Sequence, residues 1–114
     1  MKLRLPKIEL ESLDFEYEGL TVSVRQANNS LEEEDALSEE VGKLVREGGS
    51  YSLSNPEILK ASLKLFVHSE DVDKLLDFFK KIPSPYATSV VEKIREIRAK
   101  AVETIKKNLK ITET

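Results

Sequence analysis

Apolar and polar residues alternate with a period of two early in the chain. Leu13, Phe15 and Tyr17 share one face of an extended segment, and Asp14, Glu16 and Glu18 share the other. The alternation resumes beyond Gly19, with Leu20, Val22 and Val24 opposite Thr21, Ser23 and Arg25. This spacing predicts a hairpin whose tight turn sets Gly19 at positive φ. Upstream, Leu3, Leu5, Ile8 and Leu10 form a third extended segment. Pro6 breaks its phase and removes a backbone donor, which predicts an edge strand or an arm.

After the polar break at Gln26 to Asn29 the period becomes helical. Ser30 and Glu33 have the spacing of a capping box, Leu37, Val41, Leu44 and Val45 continue the pattern, and Gly48-Gly49 supplies a left-handed C-cap. Asn55 and Pro56 open a second helix, expected to run through Ile58, Leu59, Leu63, Leu65, Phe66 and Val67 and to be the most buried of the set. Ser69 is expected to cap a third helix carrying Val72, Leu75, Leu76, Phe79 and Ile82, which Pro83-Ser84-Pro85 stops with a rigid connector. From Pro85 or Thr88 to Leu109 runs the longest periodic stretch, with Val90, Ile94, Ile97, Ala101, Ile105 and Leu109 on one stripe. The tail from Ile111 to Thr114 is expected to fray.

Strands followed by helices predict an α+β fold: an N-terminal β-hairpin or small three-stranded antiparallel sheet, then a four-helix region. The expected organisation is a single domain over 1–114, with an extended arm and hairpin at 1–26 and a helical bundle at 30–110.

Composition narrows the chemistry. The chain has no Cys, which removes disulfides, thiolate nucleophiles and Cys-based zinc sites. Its charged residues make up 34% of the sequence, and the abundance of Glu and Lys is thermophile-like. No apolar run approaches the roughly 20 residues that span a bilayer, so no membrane association is expected. The expected location is cytoplasmic, as an intracellular soluble protein, or virion-associated.

Glu70, Asp71 and Asp73 are the closest carboxylate cluster, a set that a hard cation would favour. Acids in a helix first turn are also favoured by the macrodipole, and the capping role outweighs the metal role. His68 is the sole histidine, so it cannot form a metal pair and is better explained by interaction with the carbonyls of a helix end. Ser50, Ser52 and Ser54 lack the glycine spacing of a phosphate cradle. No catalytic, cofactor-binding or metal-binding residue is assigned, and no small-molecule substrate is evident.

Charge separation points to macromolecular contact. The first helix carries Glu32, Glu33, Glu34, Asp35, Glu39 and Glu40, whereas the last is basic, with Lys93, Arg95, Arg98, Lys100, Lys106, Lys107 and Lys110. The two can face each other within the chain or across a self-association interface. A protein partner or self-association is expected through Leu3, Leu5 and Ile8 on the strand edge, or through Ile105 and Leu109 on the last helix. The alternative is a nucleic-acid-binding accessory protein using Arg95, Arg98, Lys106 and Lys107 as phosphate contacts.

The run Glu70-Asp71-Val72-Asp73-Lys74-Leu75, the following Phe-Phe and Pro-containing segment, and the run Ile94-Arg95-Glu96-Ile97-Arg98-Ala99-Lys100-Ala101-Val102 resemble the tail-assembly chaperones and baseplate assembly proteins of bacteriophages. The resemblance is confined to the C-terminal half, and Ala101 stands where the family pattern has serine. It implies a noncatalytic chaperone or structural component and assigns no functional residue. Together these readings predict a noncatalytic protein–protein interaction or assembly module, with a viral tail-assembly or structural component as its specific form.

Overall fold

The hairpin forms where the period-two pattern puts it. In the computed structural model, which describes residues 2–6, 10–47 and 55–112 without the side chains of 110–112, β2 (Ser12–Tyr17) pairs antiparallel with β3 (Leu20–Arg25). Their turn places both Glu18 (φ 45°) and Gly19 (φ 85°) in the left-handed region, as the twist of a two-residue hairpin requires. Val22 and Val24 are buried, while Leu13, Phe15 and Tyr17 cover the edge of the same core.

The arm does not join this sheet as a third strand. Instead β1 (Lys2–Arg4) pairs antiparallel with β4 (Lys110–Thr112), which takes in the first two residues of the tail expected to fray, with Leu3 opposite Ile111. The molecule is thus a small α+β protein, with two separate two-stranded ribbons and four α-helices among the described residues.

Helix α1 (Leu31–Arg46) begins with both bonds of the predicted capping box: the Glu33 N–H donates to Ser30 Oγ, and the Ser30 N–H donates to Glu33 Oε1. The predicted C-cap glycines, Gly48 and Gly49, and the serines at 50, 52 and 54 lie outside the described residues. Asn55 caps α2 (Pro56–Leu63), accepting from the Glu57 and Ile58 N–H groups.

Helix α2 is shorter than its apolar run suggests. The chain turns after Leu63, and Val67 is extended, bridging antiparallel to Gln26. Ala27 N–H donates to Phe66 O and His68 N–H to Arg25 O, both at 2.9 Å, so a backbone seam joins the end of the hairpin to the turn after α2.

A 3₁₀ turn over Ser69–Asp71 precedes α3 (Val72–Lys81). Here the cap is His68 and not Ser69: its Nδ1 accepts from the Glu70 N–H at 3.2 Å. The histidine therefore serves a helix start, where N–H groups need acceptors, instead of the carbonyls of a helix end. Pro83 separates α3 from α4 (Ser84–Lys107), which takes Pro85 into its first turn, where no backbone donor is needed.

The core lies between β3, the end of α2, α3 and the first half of α4. Leu63, Val67, Val72, Leu75, Phe78 and Ile94 are buried in it, each side chain contributing about 1.5–3 kcal/mol through burial. Helix α1 has no buried residue and packs its half-buried stripe of Leu37, Val41 and Leu44 beside α2. The molecule is elongated, 53 × 38 × 21 Å, and its 16.4 Å radius of gyration exceeds the about 13 Å of a compact chain this long.

Candidate interaction surface

The elongation has its source in α4. Pro56 and Leu59 of α2 line the same groove as Ser84 and Ala87 of α4, and Leu65, just past α2, receives a hydrogen bond from Arg98. The two helices therefore run in the same direction and come level at Arg98. Residues 99–107 continue past the body for about 13 Å, leading to the β1–β4 ribbon.

Arg98 marks the boundary. One arm of its guanidinium donates to Leu65 O at 2.6 Å, the other donates to the Glu34 carboxylate of α1, and the group lies 5.8 Å from the Phe66 ring centroid. The acidic first helix and the basic last helix thus meet within the chain at this pair. Arg95 lies over the same ring at 5.8 Å. Such contacts draw the guanidinium to the electron-rich face of the ring.

Beyond Arg98 the helical periodicity continues while burial stops. Ile94 is 2% exposed, but Val102 is 54%, Ile105 36% and Leu109 37% exposed. Val102 and Ile105 recur at three- and four-residue spacing from Arg98 and lie on its side of α4, while Leu109 follows just past the helix end. On the ribbon Leu3 and Leu5 are also exposed, and at the start of α1 Leu31 is 77% exposed.

The predicted arm and helix contacts are consequently one region. Pairing of β1 with β4 carries Leu3 and Leu5 to the end of α4, beside Leu109. Ile8 lies outside the described residues. Sequence reasoning did not single out Leu31 and Val102, which are also exposed. Both fit a helical apolar pattern, and only the end of the packed body distinguishes them from core positions.

The four predicted phosphate contacts stand in different surroundings. Arg98 is engaged by Leu65 and Glu34, Arg95 stands over Phe66, and Lys106 and Lys107 are exposed in the last turn of α4. Cations are favoured at that helix end by the macrodipole.

The Glu70, Asp71 and Asp73 cluster is taken up by ion pairs, Glu70 and Asp71 sharing Arg25 while Asp73 turns to Lys60. Asp71 is buried and accepts from the Arg25 N–H at 2.8 Å and from Arg25 Nε at 2.9 Å, with Lys74 Nζ at 3.5 Å. Glu70 pairs with Arg25 at 3.1 Å, and Asp73 pairs with Lys60 at 3.1 Å. Hydrogen bonding to Arg25 holds the Asp71 carboxyl well below the usual carboxylate range and raises the Arg25 pKa. Among the described residues no group of His, Cys, Asp and Glu side chains is arranged to hold a metal ion.

Two shallow grooves flank Ile82. One of about 380 Å³ is lined by Pro56, Leu59, Leu76 and Phe79, and one of about 370 Å³ by Phe15, Tyr17, Tyr86 and Val90. Tyr17 and Tyr86 stack at a tilt, with ring centroids 4.9 Å apart. Within the described residues no helix is long and apolar enough to cross a membrane. Compared with protein-family models, curated proteins and solved structures, the chain matches none.

Proposed function

We propose that this protein is a noncatalytic interaction or assembly module whose partner docks on the projecting end of α4 and the adjoining β1–β4 ribbon. The observation that carries this reading is the exposure of Leu3, Leu5, Val102, Ile105 and Leu109 at the end of α4 and on the ribbon attached to it. A patch of large apolar side chains costs free energy in water and is retained where a partner covers it. Basic residues Lys106 and Lys107 border the patch and favour encounter with an acidic protein surface. The resemblance to phage tail-assembly proteins points to the same class of noncatalytic role.

Exposed aliphatic side chains favour a protein partner over a nucleic acid. A phosphate backbone would use the lysines and leave Val102 and Ile105 in water. The test is a photo-crosslinking amino acid at position 105, with Glu92 on the packed half of α4 as the control position. Expected is a covalent protein adduct from position 105 and none from position 92. Nucleic-acid adducts alone, or no adduct at position 105, would overturn the reading.

A further inference from the structure

We infer that the partner is a second copy of this chain, docked about a two-fold axis so that the projecting α4 of each copy lies across the N-terminal half of the other copy's α1. This rests on the interaction reading above and specifies its occupant.

The start of α1 is held to α4 at Arg98 through Glu34, and Val102 and Ile105 follow Arg98 on the same side of α4, with Leu109 just past its end. Leu31, the most exposed large apolar side chain described, opens α1 there. Each copy therefore carries both halves of the contact, an acidic α1 and a basic projecting α4.

Charge selects the same occupant. From Leu31 to Arg46 the chain has six acids against Lys43 and Arg46, whereas from Arg98 to Lys110 it has five bases against Glu103. Glu32, Asp35 and Glu39 lie on one exposed row of α1. Lys106 and Lys107 are exposed on the projecting helix, and neither row has an ion pair among the described residues. Direct pairing of α4 with α4 would oppose like charges. Crossing α4 over α1 joins opposite charges, and a two-fold axis repeats the contact, closing the assembly at two copies. Within one chain the Glu34–Arg98 pair already joins the same two helices.

Light scattering over a concentration and salt series tests this directly. Wild-type mass should rise from one chain toward two with concentration and fall back with added salt. The variants Lys106→Glu/Lys107→Glu and Asp35→Lys/Glu39→Lys should each remain at one chain, because each would place like charges in both contacts. Their equimolar mixture should recover the two-chain mass, since both contacts then join opposite charges. If a double variant loses its helical circular dichroism, Lys106→Glu and Glu39→Lys replace the pairs in the same test. Wild-type protein monomeric throughout, or a mixture that fails to recover, overturns the dimer. A monomeric chain that still crosslinks a different protein from position 105 sinks the dimer but leaves the interaction reading intact.

Discussion

Helix α4 passes through two environments without changing its apolar rhythm. Val91 and Ile94 are buried against the core, whereas Val102 and Ile105, and Leu109 just past the helix end, are exposed to solvent over a third to a half of their surface. The same spacing that buries one half leaves the other more exposed because α2, the helix that runs beside the first half, ends near Arg98. Periodicity specifies which side of a helix is apolar; the neighbouring elements specify whether that side is covered.

The sharpest way to break this comparison is to truncate one side chain in each half. Leu75→Ala should cost about 2–5 kcal/mol, because Leu75 is fully buried and leaves a cavity. Ile105→Ala should cost under about 1 kcal/mol in urea unfolding at low protein concentration. Similar losses would mean that the projecting end is packed after all.

The Arg25–Asp71 pair, which locks the hairpin to α3, should come next. Asp71→Asn should cost about 2–4 kcal/mol, near the lower end because Arg25 is half exposed to solvent. The folded state keeps Asp71 ionised to lower pH than the unfolded chain does. Its contribution is therefore complete above about pH 4 and is lost as pH falls through the depressed folded value. Acid titration of stability should show wild type falling more steeply than Asp71→Asn below that point; parallel curves would remove Asp71 as the cause.

Ser30→Ala should destabilise α1 by about 1 kcal/mol through loss of its cap. Faster amide exchange confined to α1, with little change in the global unfolding midpoint, would sharpen the contrast between that helix and the core. The smallest expected change is a gain: Ser62 is buried and its hydroxyl has no hydrogen-bond partner among the described residues. Ser62→Ala should stabilise by up to about 1 kcal/mol in the same denaturation assay.

Local chemistry was legible in the sequence, and long-range pairing was not. The hairpin, the Ser30–Glu33 capping box and the Asn55–Pro56 helix start each rest on residues a few positions apart. The run Leu65-Phe66-Val67 fits either period, and its extended end is selected by Gln26 across the fold. Asp71 had the appearance of an ordinary first-turn acid until Arg25, 46 residues away, became its partner. Likewise Leu3 and Leu109 were legible as separate interaction candidates, but their union depends on a ribbon joining opposite ends of the sequence.

The seam between residues 25–27 and 66–68 also bears on the order in which the molecule assembles. Closing it brings together positions 41 residues apart, Gln26 and Val67, at an entropic cost of about 3 kcal/mol from chain length. Helix α1 lies inside that closed loop yet has no buried residue. It can therefore unwind and re-form while the seam and core stay intact, behaving as a separate foldon whose opening free energy is below that of the whole molecule.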